Sequence, residues 1–103
     1  MSTPKVLTLQ GKIDFHLSLE VAESLGAIIA NTPKRVIVDL SQVTYLDSSG
    51  LAVLIEAMQN TEKYGGEFLL AATHDDVRLF FEIACLDRIF KLSPDVDCAL
   101  AAA

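Results

Sequence analysis

The sequence is poor in cysteine, in basic residues and in long apolar runs, and each shortage removes a class of function. Its two cysteines, Cys85 and Cys98, share no CxxC spacing, so neither a zinc site nor a redox motif is suggested and a reducing compartment suits them. Lysine and arginine number eight against fourteen acidic residues, a net charge of −6. Nucleic acid binding needs a clustered basic face, so no direct nucleic acid partner is expected, and a partner with a basic docking surface is. The run from Leu51 to Met58 is interrupted by Glu56, and nothing approaches the roughly 20 apolar residues that span a bilayer. Met1 to Lys5 lacks the basic start and apolar segment of a signal peptide. No membrane insertion and a cytoplasmic location follow as expectations.

What is present is the balance of a packed protein: 51% hydrophobic and 21% charged over 103 residues. A chain of this length closes one core, so residues 1–103 are read as a single domain with no room for a second, catalytic one.

The pattern along the chain alternates between two periods. Val6, Leu7 and Leu9, then Ile13 beyond Gly11, suggest one or two short strands. Leu17, Val21, Leu25 and Ile28 recur at helical spacing with Glu20 and Glu23 opposite, and Asn31, Thr32 and Pro33 end that helix. Arg35 to Leu40 is a nearly continuous β-branched run of the kind buried on both faces in a central strand. After a turn, Val43 to Leu46 leads into Asp47, Ser48, Ser49 and Gly50. A helix from Ser49 to Tyr64 follows, with Leu51, Leu54, Ile55 and Met58 on one face. Gly65 and Gly66 end it, and Glu67 to Ala72 reads as a buried strand. A helix from Asp75 to Ala84 places Val77, Phe80, Phe81 and Ala84 together, Ile89 to Leu92 fits a short edge strand, and Pro94 opens a last helix to about Ala102. The expected fold is therefore α/β: a central mixed sheet of four to five strands with about four helices packed mainly on one face.

Chemistry concentrates in Tyr45-Leu46-Asp47-Ser48-Ser49-Gly50-Leu51, a polar strand-to-helix junction. There the first helical N–H groups lack internal partners and the helix dipole is positive, so an anion is stabilised. Phosphorylation of a serine at this point would add about −1.5 to −2 charges and three acceptor oxygens, which makes a switch and not a catalytic centre. The plainer reading is that Asp47 or Ser48 is an N-cap worth roughly 1 kcal/mol and that Gly50 serves close packing. From residue types alone both stand.

Val36-Ile37-Val38-Asp39-Leu40, then Val43-Thr44-Tyr45-Leu46-Asp47-Ser48-Ser49-Gly50-Leu51, then Tyr64-Gly65-Gly66-Glu67-Phe68 resemble the STAS domain family, in particular its stand-alone bacterial anti-sigma factor antagonists. Gly11-Lys12-Ile13-Asp14 resembles that family's glycine-to-aspartate turn. The resemblance runs from about Val6 to Leu100 and implies a non-enzymatic regulator without cofactor or metal. The unphosphorylated form binds an anti-sigma factor serine kinase of the histidine-kinase-like fold and frees the sigma factor; phosphorylation of the first serine after the motif aspartate, here Ser48, abolishes binding. A PP2C-type phosphatase restores it. The same resemblance sets Asp14 and Asp47 near the phosphoacceptor. Phe15 reads as a loop aromatic beside Asp14 that, if exposed, is a candidate partner anchor, and the expected partner-contact set is Asp14, Phe15, Thr44, Asp47, Ser48, Ser49 and Gly50. Two positions depart from the family pattern: Ala52 and Cys85 stand where glycine is frequent, Ala52 stiffening its helical turn and Cys85 implying a different end to the third helix.

Other readings compete. Asp14, His16 and Ser48 form a conceivable hydrolase triad, against which stand the small size of the chain and the lack of a Gly-x-Ser-x-Gly elbow. His74, beside Asp75 and Asp76, reads as a solvated loop or cap residue, with no third metal ligand in view. Related STAS subunits serve as adaptors of membrane transporters or other signalling complexes, and that alternative keeps the fold while changing the partner.

Overall fold

The computed structural model describes residues 3–71, 75–83, 85 and 88–101, with side chains at all of these except 75, 76 and 80. The element order is β1 (Lys5–Ile13), α1 (Phe15–Ile29), β2 (Arg35–Leu46), α2 (Ser48–Lys63), β3 (Glu67–Ala71), α3 (Asp75–Ile83), β4 (Lys91–Ser93) and α4 (Val96–Ala101). The four strands form one sheet in the order β1-β2-β3-β4. The α/β class and the counts of strands and helices agree with the sequence reading. The sheet was expected to be mixed, yet all three described pairings are parallel. Each strand is joined to its neighbour by a helix that returns the chain to the sheet's starting edge, and that connection makes adjacent strands parallel.

The two strands that position the site are longer than their hydrophobic patterns suggest. Gly11, at a φ of 74°, keeps β1 in one piece through a break in register. Leu9 faces two β2 residues, Leu40 and Ser41, and Thr44 is skipped between the pairs Gly11↔Val43 and Lys12↔Tyr45. These are bulges on β2. The first is held by Asp39, whose Oδ1 accepts a hydrogen bond from Ser41 N at 2.9 Å. The turn expected after Leu40 is therefore a bulge, and β2 is one strand of 12 residues.

Beta-branched and leucine side chains make the centre of the sheet two-faced. Val36, Val38 and Leu40 face a large core with Leu25, Leu54, Phe68, Leu70 and Phe81, while Ile37 faces a small one with Leu69, Ala71 and Ala99. Helices α1, α2 and α3 supply the large core and α4 the small one. Phe90 packs between Phe81 and Phe68, with ring centroids 5.9 and 6.3 Å away. Helix α2 ends as its glycines require: Gly65 takes a φ of 86°, and Gly66 N bonds to Thr61 O at 3.1 Å, closing the last carbonyls. The last strand lies at Lys91–Ser93 instead of Ile89 to Leu92, and the final helix starts at Val96 behind Asp95. The roles expected of Phe80, Ala84 and His74 lie outside the described residues and side chains. No helix among the described residues is long and apolar enough to cross a membrane.

Candidate functional site

The last residues of β1 and β2 are register partners, Ile13↔Leu46, and each strand is followed by an aspartate that opens a helix. Asp14 and Asp47 both have extended backbones, with φ of −95° and ψ near ±180°, as N-cap residues do. Asp14 Oδ1 accepts from Leu17 N at 3.0 Å, and Asp47 Oδ1 accepts from Ser49 N at 2.9 Å and Gly50 N at 3.1 Å. Asp47 N also donates to Ile13 O at 3.3 Å, tying the two junctions together. Because the strands are parallel and both chains turn back over one face, the positive ends of α1 and α2 lie at the same edge of the sheet. Apart from the two caps, neither first turn holds an acidic residue.

Gly50 is what lets α2 approach this closely. A Cβ there would lie 2.6 Å from Leu46 Cδ1, 2.8 Å from Ile13 Cγ2 and 3.1 Å from Ile13 O, inside ordinary contact distance on three sides. The start of α2 is thus pressed onto the ends of β1 and β2 and has little freedom to shift.

Asp47 is the cap, as in the plainer reading of the motif, and Ser48 is not. Ser48 is the first residue of α2 and exposed. Its hydroxyl has no hydrogen-bond partner among the described residues. Ser49 is half-buried beside it. Thr44, the skipped bulge residue, is exposed on β2 next to Tyr45, itself 50% exposed. Phe15 was expected in a loop; it is the first residue of α1, since the Asp14 cap starts the helix two residues before Leu17, and its ring is 60% exposed. All seven residues singled out in the sequence fall at or beside these two junctions.

The hydrolase triad has no geometry behind it. The Asp14 carboxylate is spent on the α1 cap, His16 lies in the first turn of α1 with its ring edge-on to Phe15 at 5.9 Å, and no hydrogen bond joins Asp14, His16 and Ser48 among the described residues. One surface residue was missed. Leu19, 59% exposed, sits four residues from Phe15 on the same side of α1. It falls off the Leu17, Val21, Leu25, Ile28 stripe, and that misfit was readable in the spacing.

Comparison with known proteins gives a consistent picture. The anti-sigma-F factor antagonist RsfB of Mycobacterium tuberculosis is 31% identical over 97 residues, covering 92% of this chain and 77% of that protein. A crystal structure of an anti-sigma factor antagonist from Mycobacterium paratuberculosis is similar at a TM-score of 0.88 and 30% identity, covering 99% of this chain and 86% of that one. The SulP transporter STAS domain from Vibrio cholerae, at 24% identity, a TM-score of 0.75 and 96% and 79% coverage, shares the fold. The STAS domain family model matches residues 2–99, and with nearly the whole chain inside that match the protein belongs to the STAS domain family.

Proposed function

We propose that the protein is an anti-sigma factor antagonist whose binding to an anti-sigma factor serine kinase is switched off by phosphorylation of Ser48 and restored by a PP2C-type phosphatase. The observation that carries this reading is the free, exposed Ser48 hydroxyl in the first turn of a helix whose capping is already done by Asp47. A serine committed to capping would have to give up that bond to be modified; this one does not. The similarity to proteins named as anti-sigma factor antagonists supports the same role.

The packing of Gly50 favours a switch by charge. A phosphoryl group adds about −1.5 to −2 charges at a corner that the Leu46 and Ile13 contacts hold in place, so the surface offered to a partner changes more than the backbone does. Asp14, Phe15, Thr44, Asp47, Ser49 and Gly50 surround or support that corner and form the contact region in this reading. The chain acts as substrate and ligand of the kinase and supplies no catalytic group of its own.

Intact-mass measurement after incubation with the anti-sigma kinase and ATP tests the proposal, with peptide mapping to locate the phosphate. One phosphate on Ser48, absent from Ser48→Ala, is expected. Ser48→Ala should hold the kinase constitutively and Ser48→Asp should release it. Equal kinase affinity of the two variants, or no phosphate from a kinase active on another substrate, would remove the switch and leave the adaptor role open.

A further inference from the structure

Helices α1 and α2 run in the same direction, each returning from the end of one parallel strand to the start of the next, and they pack side by side. Between them on the outer side lies an open groove of about 290 Å3, lined by Ala22 and Gly26 of α1, by Ala30 at its C-terminal cap, and by Val53, Glu56 and Ala57 of α2. We propose that this groove is a docking surface for a basic amphipathic helix of a protein partner. The proposal does not rest on Ser48 being phosphorylated.

Three observations lead there. The first is the charge around the groove, which has one sign over almost its whole length. No lysine or arginine occurs from residue 13 to 33 or from 36 to 62, so α1 carries none and α2 carries only Lys63 in its last turn. Glu56 lines the groove, and Glu23, three residues before Gly26, is exposed on α1; Glu20 faces away, on the β1 side of α1. Lys63 reaches Asn60 at the far end of the groove, Nζ to Oδ1 3.5 Å.

The second is Gly26. A helix-interior glycine costs more stability than any residue except proline, and packing within this chain does not call for one here: a Cβ at Gly26 would meet nothing within 4 Å. The position is open to the outside, where the absence of a side chain lets another backbone come close.

The third is the pair Phe15 and Leu19, 60% and 59% exposed on α1, which extends apolar surface toward the N-terminal end. A helix laid in a groove between two helices inserts a ridge of side chains between theirs. An apolar face would fill the groove while flanking lysines or arginines meet the glutamates. A cation would also sit well at the C-terminal end of α1, whose last turn holds no basic residue. A second copy of the chain is a poor occupant of the same groove, because two such faces would bring like charges together.

The test uses two synthetic helical peptides, one with leucines on one face and lysines on the other, and its counterpart with every lysine replaced by glutamate. Each is titrated into the isotope-labelled protein at low salt. The leucine/lysine peptide should shift the amide signals of Ala22, Gly26, Ala30, Val53 and Ala57, and the glutamate peptide should not. Gly26→Leu keeps every charge, fills the groove and has room for its Cβ; it should keep or raise the thermal midpoint and weaken the basic peptide by roughly tenfold or more. Four results overturn the proposal: shifts spread over the acidic surface without centring on the groove, undiminished binding by Gly26→Leu, comparable binding of the glutamate peptide, or no binding. A dimer of the protein that Gly26→Leu dissociates would assign the groove to a second copy and overturn it as well.

Discussion

Two of the described residues other than glycine sit in a backbone conformation that side chains resist. Cys85 has a φ of 60° and Thr32 a φ of 45°, each just past the end of a helix, where glycine is the usual occupant. Cys85 N bonds to Glu82 O and Thr32 N to Ile29 O, at 3.1 and 2.8 Å, so the turns are made despite the Cβ. The departure noted at Cys85 therefore leaves the glycine-type helix end in place and stores strain in it. A left-handed residue with a side chain costs about 1 kcal/mol or more, part of which glycine returns through its freer unfolded state. Cys85→Gly and Thr32→Gly should each raise the urea midpoint, by roughly 0.5 to 1 kcal/mol of stability. Cys85→Ala should change it little, because the strain belongs to the Cβ and not the thiol. A lower midpoint for Cys85→Gly would contradict this account.

At the scale of an element, α4 is the piece that depends most on others. Six residues are too few to hold a helix alone. Ala99 packs on Ile37, Leu69 and Ala71, and the buried Arg35 clamps the helix end: Nη1 donates to Ala99 O at 3.0 Å and Leu100 O at 3.1 Å, and Nη2 to Glu67 Oε1 at 3.3 Å. Lys91 joins Glu67 at 3.5 Å, and Asp95 Oδ1 receives Cys98 N at 2.7 Å. Arg35→Met should remove about 2 to 3 kcal/mol, as expected for hydrogen bonds from a charged donor, and should speed amide exchange in α4 more than in β2. Unchanged protection of α4 would show that the clamp is dispensable.

The same clamp should respond to acid. Partial burial works to raise the pKa of Glu67, but the hydrogen bond and charge of Arg35, helped by Lys91, outweigh it and hold the carboxyl below its usual 4.5. The Cys98 N–H holds Asp95 below its usual 3.8. A carboxyl with a lowered folded pKa contributes its full stabilisation above the unfolded value and loses it as the pH falls through the folded one. Protection of the α4 amides relative to β2 should therefore be constant at neutral pH and decline once the pH drops below 4.5 and then 3.8.

For the whole molecule the relevant quantity is how the charge of −6 is distributed. The α1 and α2 side is acidic, whereas Lys5, Lys12, Arg35 and Lys91 lie on strands and Arg78 on α3. A field of this kind steers a basic partner at long range and is screened by salt. A phosphate on Ser48 would add to the attraction for a basic partner at a distance, so the proposed loss of binding would have to arise at contact, where a doubly charged group has to be stripped of water. Ser48→Asp should then lower kinase affinity through faster dissociation, while association rates of both forms fall with rising salt. A Ser48→Asp variant that instead associates more slowly and dissociates at the same rate would count against this division.

Periodicity alone was enough to place the α/β class, the central position of Arg35 to Leu40, the core stripes of α1 and α2 and the glycine stop after Tyr64, because burial acts on local spacing. The Asp47 junction was legible for the same reason, since capping is a property of a few neighbouring residues. Other features depend on pairs far apart in the chain. The β2 bulges arise from its register against β1, the parallel course of every described pairing from the crossovers, and the clamp from Arg35 meeting Ala99 across 64 residues. The outcome at Ser48 needed both levels. The sequence supplied an aspartate able to cap α2, whereas the parallel pairing of β1 and β2 brought the two helix starts to one edge of the sheet and the packing of Gly50 against Ile13 and Leu46 held α2 there, with Ser48 exposed. Contacts of that kind are decided by which surfaces meet, and a local pattern of residues carries no record of them.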